Sequence, residues 1–288
     1  MAVFDRTYRG YAGELTPPWS RSLVIARYAL RDVFRSRLFI AFFVLSLVWP
    51  LALVVLVYLK YNLEAVTALQ LSQLVEVIAI DETFFRRVLL FPQAVSAALM
   101  ILFVGPALVS PDLRNNAMPL FLSRPMNKSD YVTGKLVVLA GLASAMTWIP
   151  GLLLFVLQSS LAGGQWLLDH LRVAAAVFVG SWVLILSLSA YALAVSAWVK
   201  WKAVARLAAF AGIAVFFGVG QVFKVFYETW WGSLFVVPDQ ILRIWSQLFG
   251  AAPFFDIPAP AAWVALGLFT LASTLMLFRR IRAYEVVS

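Results

Sequence analysis

The stretch of this chain best equipped for polar chemistry runs from Ser110 to Lys135, between two long apolar runs. It reads SPDLRNNAMPLFLSRPMNKSDYVTGK and combines carboxylates, cations, prolines and a glycine. Side chains of these types form ion pairs, helix caps and tight turns. A polar, basic connector between apolar segments is suited to receive a soluble partner, and we interpret it in that sense.

Catalytic chemistry finds little support elsewhere in the sequence. The chain has no cysteine and a single histidine, His170, beside Asp169 in a predicted loop. An enzyme needs an acid, a base, a nucleophile or a metal cluster, and we expect His170 to be a solvated loop residue. The Ser and Thr residues inside the apolar runs have no base nearby in sequence, so we expect them to tighten helix packing or to satisfy kinked backbone. They are Ser144, Thr147, Ser181, Ser187, Ser189, Ser196 and Thr274. No catalytic residue or metal site is predicted.

The composition requires a bilayer as solvent. Hydrophobic residues make up 63% of the chain and the mean hydropathy is +0.89, whereas soluble domains are about 45–50% apolar. Since 288 residues of this kind cannot bury their apolar surface in one core, the sequence predicts an all-helical membrane domain. The net charge of +9 would indicate nucleic acid in a soluble protein, but here the cations flank apolar runs and no nucleic acid is expected.

Six charge-free apolar stretches are long enough to span a bilayer, which takes about 20 residues. Pro50 and Pro150 lie inside two of them and are expected to kink the helices. No internal repeat or linker divides the chain, so residues 1–288 are predicted to form one membrane domain. The predicted spans are Leu38–Leu59, Pro92–Val109, Leu136–Ser159, Val173–Val199, Leu207–Phe223 and Ala261–Phe278.

The distribution of Lys and Arg predicts the orientation of these spans. Seventeen of the 23 cations lie in the amino end, the loops at 110–135 and 200–206 and the carboxyl tail, and six lie on the other side. By the positive-inside rule, both termini are expected in the cytoplasm. We therefore expect a multi-pass protein of the plasma membrane, which in a bacterium is the inner membrane.

Residues 1–37 are predicted to form a cytoplasmic tail and an amphipathic helix from Arg21 to Arg37. Arg27, Arg31 and Arg35 recur every four residues and form one stripe of that helix. We expect the helix to lie in the interface, with this stripe toward anionic headgroups or a partner. The apolar residues opposite the stripe are Leu23, Ala26, Leu30, Val33 and Phe34.

Two segments are predicted on the external side. Residues 60–91 are expected to be helical and surface-lying, with their four carboxylates in water. Residues 224–260 contain Pro238-Asp239-Gln240 followed by spaced apolar residues, which predicts a capped amphipathic helix anchored at the membrane interface.

Local rules predict two helices and a turn inside the connector. Asp112 is placed to N-cap a short helix over residues 112–122. Ser123-Arg124-Pro125 predicts a turn, because the residue before a proline avoids the helical region. Ser129 or Asp130 can cap the helix that leads into the third span. The connector is therefore predicted to be a helical knuckle that stands off the membrane.

This connector resembles the loop between the second and third spans of ABC-2-type transporter permeases. The matching features are an acidic residue after the second span (Asp112), a leucine-rich turn ending in Ser-Arg-Pro (120–125), an aromatic residue (Tyr131) and Gly-Lys at 134–135. The amphipathic helix, with its Arg-Ser-Arg-Leu-Phe entry into the first span, is similar to the elbow helix of that family. The six-span layout matches over essentially the whole chain. Two departures are the residues 115–119, which replace a more usual RGTL or RGSL, and the long segment 60–91.

The resemblance implies a subunit that pairs with a second copy or a close relative and docks two copies of an ATP-binding subunit, which would hold ATP and Mg²⁺. It assigns membrane anchoring by the elbow helix to Arg27, Arg31, Arg35 and Arg37. No GxxxxGK[ST] sequence occurs, so this chain is expected to hold no cofactor and to leave ATP hydrolysis to the partner. The residues assigned to ATPase coupling are Asp112, Leu113, Arg114, Leu120, Ser123, Arg124, Pro125, Asp130, Tyr131, Gly134 and Lys135.

Two mechanisms stay open within this interpretation. One is ATP-driven export of a hydrophobic, amphipathic or neutral substrate, which suits spans without charge. The other is transmission of the ATPase stroke to an external or periplasmic protein, which would contact segments 60–91 and 224–260, without small-molecule transport. A secondary carrier or a channel is a further alternative, disfavoured because the spans lack the ionisable residues and filter sequences that these proteins use.

Overall fold

The computed structural model describes residues 20–62, 66–67, 78–115, 127–227 and 230–281. Within these ranges helices are the only regular secondary structure, and six of them are long and apolar enough to cross a membrane. The prediction of an all-helical protein with six candidate spans is confirmed. In chain order the helices are α1 (Ser20–Val33), α2 (Arg37–Lys60), α3 (Phe84–Arg114), α4 (Lys128–Ala162), α5 (Gly164–Asp169), α6 (Leu171–Trp198), α7 (Lys202–Tyr227), α8 (Val237–Phe249) and α9 (Ala259–Arg280).

Helix α6 is the centre of the bundle. It packs against α3, α4, α7, α8 and α9. In the most apolar 18-residue stretch of α6, 61% of the residues are buried, whereas the corresponding share is 17% in α7 and 22% in α2 and α9. Its buried face is rich in Ala and Ser with one glycine, Gly180, and small residues let neighbouring backbones approach closely. The outer helices α2, α7 and α9 instead expose large apolar side chains, which suits contact with lipid.

Two of the spans are interrupted where a proline removes a backbone donor. Helix α3 begins with a π-helical stretch, Phe84–Leu90, continues as Phe91–Val104, breaks at Gly105 and resumes as Pro106–Arg114. Helix α4 consists of Lys128–Met146 and Trp148–Ala162, separated at Thr147. Pro150 cannot donate to the Met146 carbonyl, so the predicted effect of Pro150 is confirmed. Pro50 lies inside an uninterrupted α2, and the break at Gly105 was not predicted.

The helices extend beyond the predicted spans at every end but one, since α6 ends at Trp198, one residue before the predicted Val199. Helix α2 exceeds Leu38–Leu59 by one residue at each end, whereas α3 begins eight residues before Pro92. A span predicted from a charge-free stretch ends at the first charged residue. Long cationic side chains, however, can lie in the terminal turns of a membrane helix and extend toward water. The predicted centres are therefore right and the predicted lengths are too short.

The amino-terminal helix is shorter than predicted. Helix α1 ends at Val33, and α2 begins at Arg37, with the Ser36 hydroxyl accepting the Phe39 N–H at 3.3 Å as an N-cap. Arg35 therefore lies in a turn, where it pairs with Asp32 at 3.8 Å in full exposure to solvent. Arg27 and Arg31 remain an exposed stripe on α1, and Ile25 and Ala26 are its buried residues.

Both segments predicted to lie outside the bundle contribute to its core. Arg86 belongs to α3 and is only 2% exposed, so the prediction that residues 60–91 lie on the surface is wrong for the part that begins α3. Residues 63–65 and 68–77 of that segment lie outside the described residues. The amphipathic helix predicted after Pro238 is confirmed as α8, but Trp245 is 1% exposed and donates to the Gly180 carbonyl at 2.9 Å. The apolar face of α8 therefore packs on α6 rather than in the membrane interface, because the spans leave a groove that it fills.

The helix directions define two ends of the bundle. The Asp112 end holds α1, the last turn of α3, the first turn of α4 and the α6–α7 turn. The opposite end, called here the Arg86 end, holds the start of α3, helix α5 and helix α8.

Candidate functional site

Three of the predicted coupling residues meet at the Asp112 end, where α3 ends and α4 begins. The Asp112 carboxylate accepts a hydrogen bond from the Tyr131 hydroxyl at 2.6 Å and lies 2.9 Å from the Lys135 ammonium. Tyr131 and Lys135 are four residues apart on α4 and therefore share one face of it. We call these residues the Asp112 cluster; they tie the two ends of the connector to each other.

The Asp112 cluster is largely withdrawn from water. Tyr131 is fully buried, and the side chains of Lys135 and Asp112 are 9% and 21% exposed. Asp112 lies in the last turn of α3, where the helix dipole disfavours a carboxylate. The ammonium and the hydroxyl offset this cost, because hydrogen bonds to ionised groups contribute about 1.5–3 kcal/mol. The prediction that Asp112 opens a new helix as its N-cap is wrong, since Asp112 lies within α3.

The register of α4 is set by a cap at its first turn. The Asp130 carboxylate accepts the backbone N–H of Asn127 at 3.0 Å, and α4 begins at Lys128. The sequence predicted Ser129 or Asp130 as the cap of this helix; Asp130 does contribute, but from the first turn, and the N-cap residue is Asn127. With the start of α4 fixed, Tyr131 and Lys135 face α3.

Helix α1 crosses α4 at Gly134, beside the Asp112 cluster. A Cβ atom at Gly134 would lie 2.8 Å from the Ser22 carbonyl oxygen and 2.9 Å from the Ile25 Cβ. Only a residue without a side chain permits this approach of backbone to helix. The crossing couples α1 to the same turn of α4 that carries Tyr131 and Lys135.

A buried serine pair joins α3 to α6 one turn before Asp112. The Ser196 hydroxyl donates to the Pro106 carbonyl at 2.7 Å and accepts the N–H groups of Val109 and Ser110 at 3.2 and 2.9 Å. The Ser110 hydroxyl in turn donates to the Ser196 carbonyl at 3.1 Å. Ser196 therefore acts as an N-cap, supplied by another helix, for the segment that resumes after the break at Gly105. The expectation that Ser196 satisfies kinked backbone is confirmed.

Cations and tryptophans form an exposed rim around this end. The Arg114 guanidinium lies 4.3 Å from the centre of the Trp201 ring, and that of Arg280 lies 5.5 Å from Trp198. Both tryptophans are at least half exposed. Cation–π contacts contribute about 0.5–1 kcal/mol at exposed sites, so the rim is a weakly ordered, basic and aromatic surface. Arg206, a turn further in, donates to the Phe103 carbonyl at 2.9 Å beside the α3 break.

The structure brings together some of the predicted site residues and not others. Leu113 is half-buried and Arg114 is exposed at the end of α3. Arg27, Arg31 and Arg35 are exposed on or after α1, and Arg37 is exposed at the first position of α2. Leu120, Ser123, Arg124 and Pro125 lie outside the described residues, together with residues 116–122 of the predicted helix 112–122 and the predicted turn at 123–125.

Sequence reasoning missed Ser110, Trp201 and Arg206 as members of this region. The sequence did hold a sign of the role of Ser110. Pro106 and Pro111 each remove a backbone hydrogen-bond donor from the helix, and a serine between them can supply a hydroxyl to the backbone groups left without a partner. Trp201 and Arg206 gave no signal, since their partners lie on helices distant in sequence. No protein-family model matches the chain, and no curated protein matches it.

Proposed function

We propose that this chain is the membrane subunit of an ABC-2-type transporter, and that its Asp112 end docks a separate ATPase. In this proposal ATP binding and hydrolysis by two such ATPase subunits move the connector, and the bundle exports a hydrophobic, amphipathic or neutral substrate. The observation that carries the proposal is the Asp112 cluster. It fastens both ends of the basic connector to buried helices, so that a force applied to residues 115–127 reaches the bundle.

The surroundings of the cluster support this role. Gly134 joins α1 to α4, and the Ser110–Ser196 pair joins α3 to α6. The connector is thus attached, through short hydrogen-bonded or close-packed contacts, to two other helices, α1 and α6. A loop that only linked two spans would not require a buried ion pair, because ion pairs are costly to desolvate.

An apolar cavity supports the proposed substrate class. It has a volume of about 200 Å³ and lies between α3, α6, α7 and α8, with walls that include Phe91, Leu102, Leu188, Ile213 and Trp245. All its lining residues are apolar, and the indole N–H of Trp245 is already bonded to Gly180. Transfer of a charged group from water into this cavity would be unfavourable, because no polar group there replaces its hydration. An alkyl or aromatic group loses no such hydration.

Burial of α8 favours export over transmission to an external protein. Helix α8 was a candidate contact for such a protein, but its apolar face is covered by α6 and α9. Export therefore stays the first proposal.

The orientation is tested by cysteine labelling, for which the absence of native cysteine makes single substitutions sufficient. We expect Lys128→Cys to react with a membrane-impermeant maleimide only after the cells are opened, and Arg243→Cys to react on intact spheroplasts. The reverse pattern contradicts docking of a cytoplasmic ATPase at the Asp112 end.

Coupling is tested with the complex purified from its native membrane in a mild detergent. We expect an ATPase subunit to copurify, and we expect Arg124→Glu in the connector to lower ATP turnover at least tenfold in proteoliposomes. Arg243→Glu is the matched control, since it makes the same charge change at the opposite end. Full turnover in Arg124→Glu, or a purified protein with no ATPase bound, would defeat the proposal.

A further inference from the structure

We propose that a pocket at the Arg86 end binds a phosphate group, carried by a lipid or by a soluble phosphate ester. This proposal is independent of the proposed transport function. The pocket has a volume of about 620 Å³ and is built from the start of α3, the α5–α6 turn and the end of α8. Its described walls carry three guanidinium groups, from Arg86, Arg87 and Arg172.

The central observation is that Arg86 is a buried cation with no counter-charge among the residues that the structure describes. It is 2% exposed, and its Nη1 atom donates to the Ser246 hydroxyl and to the Ala252 carbonyl, both at 2.9 Å. Both acceptors are neutral. The ion pairs of the described residues are Arg35–Asp32, Lys135–Asp112 and Lys224–Asp239, and none of them involves this pocket. A buried charge is normally paired, so the geometry leaves an anion to be supplied from outside.

Arg87 adds a second cation beside the first. The guanidinium groups of Arg86 and Arg87 lie 4.4 and 5.1 Å from the centre of the same ring, that of Phe254. Like charges on neighbouring residues repel each other, and cation–π contacts with the shared ring offset part of this repulsion. Arg87 is exposed and is therefore available to a ligand.

The third cation is held rigidly by the end of α8. Arg172 donates from Nε to the Leu248 carbonyl at 2.8 Å and from Nη2 to the Gln247 carbonyl at 2.7 Å. These contacts satisfy the last carbonyls of α8 and fix the guanidinium at the pocket wall. A preorganised cation loses less conformational freedom when an anion binds.

Two carboxylates and a histidine complete the charged lining. Glu82 and Asp169 lie on the walls, but neither forms an ion pair with the guanidinium groups among the described residues. His170 stacks on Trp166, and its Nδ1 atom lies 2.9 Å from the Trp166 carbonyl, so Nδ1 is the donor and Nε2 is left for other contacts. Three guanidinium groups outnumber the two carboxylates, so the described lining keeps a net positive charge.

The donor set identifies phosphate as the preferred anion. Guanidinium groups recognise carboxylate and phosphate through paired hydrogen bonds, and three of them offer more donors than the two oxygens of a carboxylate can accept. A phosphate group has more free oxygens, and the cavity has the size of a small-molecule site. The pocket lies where spans α3 and α6 begin, which is the level of lipid headgroups.

The test uses the full chain purified in dodecyl maltoside. Native mass spectrometry compares retention of phosphatidylglycerol with that of diacylglycerol carrying the same acyl chains. Thermal unfolding, followed by tryptophan fluorescence, compares glycerol 1-phosphate with glycerol. We expect the phosphate-bearing member of at least one pair to bind, and Arg87→Gln and Arg172→Gln each to weaken that binding about tenfold, as expected for loss of one charge-assisted contact.

Arg243→Gln is the matched control. It removes a cation at the same end whose Nε atom bonds to the Ile257 carbonyl at 2.5 Å, away from the pocket. Binding of phosphatidylglycerol alone assigns the site to a lipid, and binding of glycerol 1-phosphate, with or without binding of the lipid, shows that a soluble phosphate ester is sufficient. Equal retention of the compounds with and without phosphate overturns the proposal, as does an equal loss in Arg243→Gln.

Discussion

The Asp112–Lys135 pair provides the sharpest test of how the connector is fastened. We expect Asp112→Asn and Lys135→Met each to lower the free energy of unfolding, and the double variant to lose less than the sum. Asparagine keeps an oxygen for the Tyr131 hydroxyl and removes only the charge, so the cycle isolates the ion pair. In Asp112→Asn the Lys135 ammonium, which is 9% exposed, stays buried without its carboxylate.

The expected magnitude follows from the partial burial of the pair. Breaking a fully buried pair costs about 3–5 kcal/mol, and exposed pairs contribute about 0.2–1 kcal/mol. With Lys135 nearly buried and Asp112 21% exposed, each single variant is expected to lose about 2 kcal/mol. The coupling energy of the cycle is then about 1–2 kcal/mol.

The assay is reversible unfolding in mixed micelles, in which the fraction of sodium dodecyl sulfate is raised and tryptophan fluorescence is recorded. Asp32→Asn and Arg35→Gln form the control cycle, because that pair is exposed and its coupling is expected to be unmeasurable. If the Asp112–Lys135 cycle gives no more coupling than the control, the pair does not tie α3 to α4 and the reasoning fails.

Two further substitutions test the contacts that surround the cluster. We expect Gly134→Val to lower the free energy of unfolding by about 1–3 kcal/mol, because its side chain meets the Ser22 carbonyl. Gly141→Val, which meets open space, is expected to cost little, since valine is a better helix former than glycine. The same micelle assay measures both variants, and equal losses would contradict a close crossing of α1 at Gly134. We expect Ser196→Ala to lower the free energy of unfolding by about 1–3 kcal/mol, because backbone groups of α3 lose their partner. Ser187→Ala, whose hydroxyl bonds only within α6, is expected to lower it less. Hydrogen exchange at the Val109 and Ser110 amides should become faster in Ser196→Ala alone, and unchanged exchange would contradict the capping role.

The fold class was predictable because its signal is local. Every predicted span has its centre inside an observed helix, since a bilayer demands apolar helices of a minimum length whatever their neighbours are. A cap at the start of α4 was predictable for a similar reason, although only as Ser129 or Asp130, because the partner of Asp130 is three residues away. The limits of the helices were less predictable, since a charge such as Arg86 can lie within a helix once other segments supply its acceptors.

The partners of the site residues were not predictable from the sequence. Asp112 has the composition of an N-cap, but its role is decided by Tyr131 and Lys135, which are 19 and 23 residues away on another helix. The same holds for α8, where the hydrophobic face was correctly identified and its partner was not. A pattern indicates that a face must be covered, and tertiary packing decides whether lipid or protein covers it.

The dependence of α3 on Ser196 has a consequence for how the chain enters the membrane. The amides of Val109 and Ser110 obtain the hydroxyl of Ser196 from a helix synthesised more than 80 residues later. When α3 and α4 first leave the translocon, α6 has not yet been synthesised. The segment of α3 after the break at Gly105 therefore lacks the Ser196 hydroxyl as an acceptor for its amides. The final geometry of this segment is therefore completed only after α6 has inserted, which makes arrival of α6 the step that commits the chain to its mature conformation.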